Sequence, residues 1–465
     1  MNTMIKNLFG LVTVLMVFTI ASCARREAVP EVSFPLKEYV MAGDDAFNYT
    51  ITDSLAGENW KAYMVRMVSG TWLTEREVDS TTWWHWLIVI VPDNVRESES
   101  MMFIGGGSAR NTRPPLPDEW LVKGAVATGS IISYLSNIPF QPIDFKDDDK
   151  GGRDEDDLIA YGWRQYLESG ASDDKLEWLA RFPMTRAVVR AMDVVQEISL
   201  KKGKPVDSFF VTGASKRGWT TWTTAAVDDR VIGIAPLVID LLNLVPSFKH
   251  HWQCYGEWSP AVEEYVTEGI MDWMDSTQFR QLLQMVEPYS FVDRLTIPKY
   301  VVNAGSDEFF VTDSWKFYWD DLQGDNYLHY VPNASHSLAG AFQPISLISF
   351  YQRVITGTEI PEFEWKIGND TIYIRIDPES NYLLNRWEAV NTTGRDFRKY
   401  VVGEAWQKEE IKLKEDGRYE VYITRPDSGY KAALVEIIFD PGADFPLTFS
   451  TGTLVTPDNY PFPPF

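Results

Sequence analysis

The feature that most constrains the fold is an alternation of short apolar runs with helix-like segments through the middle of the chain. Residues 83–92 read WWHWLIVIVP, a run too apolar to face water on either side of a sheet. A helical pattern begins at Asp154, and strand-like runs then recur at 208–213, 231–239, 299–305 and 326–332. Apolar runs separated by helices predict parallel β-α units and a sheet covered on both faces. The predicted fold class of residues 41–358 is therefore α/β, with a helical insertion at about 241–296.

The pattern changes after residue 360. Residues 371–376, TIYIRI, alternate strictly between apolar and polar, and AALVEIIF at 432–439 is another strand-like run. Residues 411–423 predict a hairpin with Asp416 and Gly417 at its turn. Residues 360–465 are therefore predicted to form a separate antiparallel β-sandwich domain.

The first 22 residues have the pattern of a targeting segment. Lys6 is followed by an apolar run that is shorter than the ~20 residues of a spanning helix. The run ends in Ile20-Ala21-Ser22-Cys23, which resembles a bacterial lipobox whose cysteine is acylated. We expect a lipoprotein signal peptide at 1–22, lipidation of Cys23, a tether at 23–40 and a location in the bacterial cell envelope. An ordinary cleaved signal peptide, with Cys23 incidental, is the alternative.

Charge and cysteine content exclude two classes of function. The net charge of −23 comes from 66 acidic against 43 basic residues, which opposes binding to nucleic-acid phosphates. The chain has only one cysteine besides Cys23, and Cys254 lacks the strand-turn-helix setting of a nucleophile. A buried, inert thiol is expected at Cys254.

The segment VTGASKRGW places Ser215 between a strand-like run and a helix-like one. A serine nucleophile occupies such a sharp turn, where small neighbours let the backbone pack closely. The common pattern G-x-S-x-G has glycine two residues after the serine, but Arg217 stands there and Gly218 follows. A plain strand-to-helix turn remains the alternative for Ser215.

A serine nucleophile needs a base and an orienting carboxylate, which in the α/β-hydrolase fold follow it in the order acid, then histidine. Asp307 follows the run 299–305, and His336 follows the run 326–332. Asp240 is the rival acid, and Glu308 is expected to point away from the site. The rival histidines are His85, His250 and His251. None of them follows the last predicted strand, as His336 does.

Backbone N–H groups are needed for the oxyanion that forms during acyl transfer. The residue after the nucleophile, Lys216, is predicted to supply one of them. Gly106 and Gly107, in the run FIGGGS, are predicted to supply the second, with an ordinary glycine turn as the alternative. The acidic stretch 144–157 departs from the EF-hand spacing, and we expect a solvated loop with acids at a helix N-terminus.

Four longer phrases carry a resemblance to a known family: residues 137–145, 181–197, 213–222 and 303–310. Together they resemble the PhoPQ-activated pathogenicity-related family, an α/β-hydrolase group. The resemblance implies the α/β-hydrolase fold, a serine nucleophile and an exported location, but little about the substrate. The turn around Ser215 also resembles that of glucuronoyl esterases, whose basic residue after the serine helps to hold the oxyanion, and Lys216 is the matching residue.

These observations favour an exported, lipid-anchored serine hydrolase that cleaves an ester or amide bond through Ser215, His336 and Asp307. The expected substrate is a small ester, a glycan ester or a peptide, and the expected chemistry needs no metal or organic cofactor. The competing hypothesis is a non-catalytic glycan- or peptide-binding protein on a hydrolase fold. Its candidate binding surface is a floor of eight tryptophans on which a sugar would stack, and the alternative role of these residues is packing in the core. They are Trp83, Trp84, Trp86, Trp219, Trp222, Trp252, Trp258 and Trp273.

Overall fold

The computed structural model describes residues 34–465, of which Pro35–Phe465 form one compact unit. The predicted signal peptide and Cys23 lie outside the described residues. The helices are α1 Pro35–Met41, α2 Glu119–Thr128, α3 Glu155–Glu168, α4 Arg181–Lys201, α5 Lys216–Val227, α6 Leu244–Tyr255, α7 Glu263–Thr267, α8 Thr277–Val286, α9 Ile345–Thr356 and α10 Lys399–Val402. In residues 34–465 we find no helix long and apolar enough to cross a membrane.

Seventeen strands are described in residues 34–465, and nine of them form one large sheet. The nine are β1 Asn48–Gly57, β2 Trp60–Thr71, β3 Thr82–Pro92, β4 Glu99–Ile104, β5 Ile131–Leu135, β6 Ser208–Ala214, β7 Val231–Leu237, β8 Lys299–Ala304 and β9 Asn326–Val331. The others are β10 Phe363–Gly368, β11 Thr371–Ile376, β12 Tyr382–Asn391, β13 Gln407–Glu410, β14 Arg418–Tyr422, β15 Tyr430–Phe439, β16 Leu447–Ser450 and β17 Leu454–Thr456.

The large sheet has the order β1-β2-β3-β5-β4-β6-β7-β8-β9. Pairing is antiparallel from β1 to β5 and parallel from there to β9. The apolar strand β3 is buried along nearly its whole length, as expected for a strand covered on both faces. This is the α/β-hydrolase fold, and the prediction of that fold class is confirmed. The edge strand β1 was missed because its side chains are mostly polar and exposed.

The predicted tether is too long at its C-terminal end. Residues 23–40 were assigned to it, but Pro35–Met41 form helix α1. Leu36 and Val40 of this helix are fully buried, and the Tyr39 ring lies 5.4 Å from that of Phe182 on α4. The apolar side chains of α1 therefore hold this segment against the sheet-covering helices.

The helical insertion lies between β7 and β8, as the sequence indicated. It contains α6, α7 and α8, joined by short 3-10 segments at Pro260–Val262 and Ile270–Trp273 and followed by another at Pro288–Arg294. Ser276 caps α8 by accepting a hydrogen bond from the backbone N–H of Phe279 at 3.0 Å. Between β8 and β9, where the alternation of strands and helices predicts a helix, the chain forms two 3-10 turns, at Ser314–Phe317 and Trp319–Asp321.

Residues beyond 360 form two antiparallel sheets, β10-β11-β14 and β13-β12-β15-β16, with β17 also paired to β15. The predicted hairpin at 411–423 is wrong. A turn does occur at Asp416 and Gly417, but β14 pairs with β11, and the preceding strand β13 pairs with β12 in the other sheet. Strict alternation identifies the buried face of a strand, yet it does not specify which strand is its partner.

The C-terminal sheets share their core with the large sheet. The Phe449 ring lies 5.6 Å from Tyr300 on β8 and 5.1 Å from Tyr327 on β9. The Tyr300 hydroxyl also donates a hydrogen bond to the backbone oxygen of Thr448 at 2.7 Å. The two C-terminal sheets thus pack onto the last strands of the large sheet, and an independent domain beginning near residue 360 stays a prediction.

Candidate active site

Ser215 occupies a strained turn between β6 and α5. Its backbone torsions are φ 57° and ψ −125°, a conformation that non-glycine residues rarely adopt. The Ser215 N–H donates to the oxygen of Leu237 on β7 at 2.8 Å, and its carbonyl accepts from the N–H of Trp219. Strain of this kind is held by the surrounding structure and is typical of functional turns, where it exposes a side chain at the edge of a sheet.

Close packing explains the glycines around this turn. A Cβ atom at Gly213 would lie 2.8 Å from the carbonyl oxygen of Arg217. At Gly218 it would lie 2.9 Å from Ile239 Cγ2 and 3.0 Å from the oxygen of Gly213. The crowded position after Ser215 is therefore residue 218, and Arg217 is tolerated because its side chain extends away toward α3.

The structure brings Ser215, His336 and Asp307 together. His336 Nε2 lies 2.8 Å from Ser215 Oγ, and His336 Nδ1 lies 2.9 and 3.0 Å from the two carboxylate oxygens of Asp307. Asp307 follows β8 and His336 follows β9. Because a carboxylate only accepts, Nδ1 carries the proton and Nε2 is free to accept the serine hydroxyl proton.

Asp307 is held by its own loop. Its Oδ1 accepts hydrogen bonds from the backbone N–H groups of Phe309 at 2.7 Å and Phe310 at 3.3 Å. The Glu308 carboxylate, expected to point away, instead accepts the backbone N–H of His336 at 2.8 Å. Two adjacent acids therefore fix the histidine, one through its ring and the other through its backbone.

The rival acid Asp240 is diverted to other partners. It is buried, and it accepts hydrogen bonds from the hydroxyls of Tyr318, at 2.7 Å, and of Tyr330. Burial raises the pKa of Asp240 to about 8, with the charge of nearby Asp307 adding to the rise and the tyrosine hydrogen bonds opposing it. Asp307, and not Asp240, contacts the imidazole of His336.

The rival histidines are committed elsewhere. His85 Nε2 lies 2.9 Å from the hydroxyl of Ser69, His250 Nε2 lies 2.8 Å from a carboxylate oxygen of Asp313, and His251 accepts the N–H of Ser259. Burial lowers the pKa of His85 and of His250 to about 4 and that of His251 to about 3, so all three stay neutral at pH 7.

Cys254 has the environment of an inert thiol. It is 1% exposed, and its sulfur lies 3.0 Å from Arg395 Nη1. Burial raises the pKa of Cys254 to about 12, and the charge of Arg395 only partly opposes that rise. The thiol therefore stays protonated at neutral pH, which removes it as a nucleophile.

The end of the acidic stretch forms ion pairs beside Ser215, a feature that sequence reasoning missed. Lys216 Nζ lies 2.8 Å from Glu155 Oε2 and 2.9 Å from Asp156 Oδ2, and Arg217 contacts both oxygens of Glu155. Burial tends to raise the pKa of Glu155, but the Arg217 hydrogen bond and the charges of Arg217 and Lys216 lower it to about 2. The acids at the start of α3 are therefore ion-pair partners of the serine turn and do not form the solvated loop that was expected. The sequence could not show this, because no spacing rule relates position 155 to position 216.

The glycine loop follows β4, whose last residue Ile104 pairs with Gly213 on β6, so it leaves the sheet next to the turn of Ser215, and its oxyanion role stays a prediction. Gly106 and Gly107 line a second cavity with Trp86 and Tyr134, and Ser215 is not among its lining residues. A Cβ atom at Gly106 would lie 2.8 Å from Arg217 Nη2, so this glycine makes room for the arginine. Lys216 is the first residue of α5, and a helix N-terminus favours negative charge, so the role of its backbone N–H as an oxyanion donor stays a prediction.

The predicted tryptophan floor does not form as one surface. Trp83, Trp219 and Trp222 are buried in the core, and of the eight candidates only Trp219 lines the cavity at Ser215.

Within residues 34–465, no group of three or more histidine, cysteine, aspartate or glutamate side chains is arranged to hold a metal ion. The chemistry that this arrangement supports is proton transfer from Ser215 to His336.

Known proteins resemble this chain over most of its length. The model of the PhoPQ-activated pathogenicity-related protein family matches residues 36–398. Autocrine proliferation repressor protein A from Dictyostelium discoideum is 36% identical over 459 residues, covering 92% of each chain.

Solved structures of lower identity also align with it. Acetyl xylan esterase 1 from Thermoanaerobacterium sp. is 10% identical, with 69% of this chain and 92% of that chain covered and a TM-score of 0.45. A glucuronoyl esterase from Solibacter usitatus is 14% identical, with 60% and 73% covered and a TM-score of 0.37. The family model matches residues 36–398, and the Dictyostelium discoideum protein is 36% identical over 459 residues. The chain therefore belongs to the PhoPQ-activated pathogenicity-related protein family.

Proposed function

We propose that this protein is a serine hydrolase that cleaves an ester or amide bond through an acyl-enzyme at Ser215. The single observation that carries the proposal is the unbroken hydrogen-bond chain from Ser215 Oγ through the imidazole of His336 to the carboxylate of Asp307. The strained turn supports it further, because nothing in the packing of a simple strand-to-helix connection requires a positive φ at a serine.

The reaction follows from these positions. His336 Nε2 takes the hydroxyl proton as Ser215 Oγ bonds to the substrate carbonyl carbon, and Asp307 stabilises the resulting imidazolium. His336 then gives that proton to the leaving oxygen or nitrogen as its bond to carbon breaks. In the second half, water loses a proton to His336, attacks the acyl carbon and releases the acid, and the proton returns to Ser215.

A fluorophosphonate probe tests the proposal, because it labels activated serines and ignores idle ones. We expect the protein to be labelled, Ser215→Ala to be unlabelled, and Ser54→Ala, at an exposed serine on β1, to be labelled as strongly as the parent chain. Hydrolysis of a panel of simple esters, glycan esters and peptides would then separate esterase from peptidase. A folded parent chain that neither labels nor turns over any of these would instead favour a glycan- or peptide-binding protein.

We also propose that the mature protein is anchored in the cell envelope through lipid on Cys23. The support is the order Ile20-Ala21-Ser22-Cys23 after a short apolar run. Two acyl chains hold a protein on a membrane firmly, whereas one chain binds only marginally. Cys23→Ser should therefore leave the protein soluble or unprocessed, and Cys254→Ser is the matched control. Normal processing and membrane fractionation of the Cys23→Ser variant would contradict the proposal.

A further inference from the structure

We propose that the cavity beside Ser215 is an acyl pocket for an apolar acyl group, with its length limit set by the helical insertion. This inference rests on the proposed function and adds the class of substrate. Ser215, Lys216 and Trp219 all line the cavity. The cavity is therefore continuous with the candidate nucleophile.

The rest of the wall is almost entirely hydrocarbon. Leu244 and Phe248 of α6 contribute to it, as do Ile270 and Met271 of the following 3-10 segment and Phe279 of α8. Each of these five side chains is under 10% exposed. A sugar or a charged acyl group would lose its hydration here without gaining hydrogen bonds, whereas an apolar group gains about 0.8 kcal/mol per buried methylene, or about fourfold in binding.

The polar side chains on the wall are already occupied by one another. The Tyr265 hydroxyl donates to Asp156 at 3.0 Å, Asp156 pairs with Lys216 at 2.9 Å, and the Trp219 indole N–H donates to the oxygen of Val286 at 2.7 Å. Among the described residues, Trp163 Nε1 and Arg181 Nε lack a hydrogen-bond partner, but both atoms are covered by protein. The wall thus offers carbon, and not free polar groups, to a substrate.

The position of His336 assigns the cavity to the acyl side of the scissile bond. Ser215 lines the cavity, whereas His336 is not among its lining residues. The leaving group receives its proton from His336 and must depart on the imidazole side, where Ser337 and its neighbours reach solvent. The acyl group stays bonded to Ser215 until deacylation, so it is the part of the substrate that an enclosed apolar cavity can hold.

The test uses p-nitrophenyl esters with straight acyl chains from two to ten carbons. The cavity holds only about 40 Å³, so we expect kcat/KM to rise by about fourfold with the first methylene beyond acetate and to fall for longer chains. A decline from acetate onward, in a protein that still labels with a small fluorophosphonate, would overturn the acyl pocket and leave the hydrolase intact. Loss of both labelling and turnover would instead overturn the proposed function.

Two substitutions of Met271, which is 4% exposed, locate the end of the pocket. Met271→Trp should move the optimum to shorter chains, and Met271→Ala should move it to longer ones. Val266→Trp is the matched control, because Val266 lies on α7 of the same insertion, is 38% exposed and does not line the cavity. If Met271→Trp does not fold, Met271→Ala decides the question. An unchanged optimum in a labelled, folded Met271→Ala variant would overturn the role of the insertion.

Discussion

One residue in an unfavourable backbone conformation organises the site. A non-glycine residue at a sparsely populated φ and ψ costs on the order of 1–3 kcal/mol, and Ser215 has this conformation. Hydrogen bonds from Ser215 to Leu237 and from Trp219 to Ser215 tie the turn to β7 and to the first turn of α5. This turn directs the Ser215 hydroxyl at His336. The backbone strain and the proposed chemistry therefore involve the same residue.

Removing members of the hydrogen-bonded set should have graded effects on turnover. Ser215→Ala and His336→Ala should each lower kcat by on the order of 10⁶-fold, because such residues act as a unit. Asp307→Asn should lower it by ~10⁴-fold, because the aspartate orients the imidazole and does not take the proton. Lys216→Ala should cost less, since its backbone N–H survives the change. Steady-state kinetics on one ester checks the order, and an Asp240→Asn variant as impaired as Asp307→Asn would contradict the assignment of the acid.

Asp240 should make stability depend on pH. Its pKa is about 8 in the folded protein and 3.8 ordinarily, so between these values only the folded state holds the proton. The free energy of unfolding should therefore fall as the pH rises from about 4 to about 8. Asp240→Asn, which cannot ionise, should lose less stability between pH 5 and pH 8, by on the order of 1–3 kcal/mol.

Urea unfolding at the two pH values measures this difference. Asp149→Asn, at an exposed position, is the control and should behave as the parent chain does. Glu287, whose pKa burial raises to about 7, titrates in the same direction but is common to all three proteins and cancels in the comparison. Identical pH dependence in the parent chain and in Asp240→Asn would rule out this role for Asp240.

At the scale of elements, helix α6 connects the cavity to the C-terminal residues. Leu244 and Phe248 face the cavity. Elsewhere on α6 the Trp252 ring lies 4.9 Å from that of Phe465, and Phe462 packs so closely on Gly256 that a Cβ atom there would lie 2.6 Å from its ring. The last residues of the chain thus brace the insertion that forms the proposed acyl pocket.

Removing this brace should loosen the insertion without unfolding the protein. Phe462→Ala combined with Phe465→Ala removes two half-buried rings, each worth about 1 kcal/mol after discounting for exposure. We expect proteolytic cleavage within residues 244–296 to become at least tenfold faster, because local opening is easier. Tyr373→Ala, at a residue of similar exposure on β11, is the control. Equal cleavage rates in all three proteins would show that the C-terminal rings do not support α6.

At the scale of the whole molecule, the C-terminal sheets and the large sheet share one core, so we expect residues 34–358 and residues 359–465 to stay together. The rings of Tyr300 and Tyr327 pack on Phe449, and the backbone N–H of Tyr330 on β9 donates to Ser450 Oγ at 2.8 Å. Separating the parts would expose these apolar rings and leave buried polar groups unpaired, which costs far more than cutting one loop.

A single cut near residue 358 should therefore leave the two fragments associated. Residues 356–359 are exposed, so a protease recognition sequence inserted after Thr358 can be cleaved in the folded protein. We expect the cleaved protein to elute from a sizing column with the uncut chain and to separate only in denaturant. Separation in native buffer would instead support an independent C-terminal domain, as the change in sequence pattern suggested.

The sequence by itself determined that the main sheet is an α/β sheet covered by helices on both faces, because strands that are apolar along their whole length must be buried on both sides. It also determined that Ser215, Asp307 and His336 each follow a strand, namely β6, β8 and β9, and the C-terminal ends of parallel strands share one edge of a sheet. Local pattern alone was sufficient for both.

Only the tertiary structure decided the contacts between residues distant in sequence. Asp240 and Asp307 both follow strands, and the hydroxyls of Tyr318 and Tyr330 divert Asp240 from the imidazole. Lys216 meets Glu155 across 61 positions, and β14 joins β11 instead of the segment before it. Such pairings depend on how whole elements pack, and a periodic pattern records which face of an element is buried but not what lies against it.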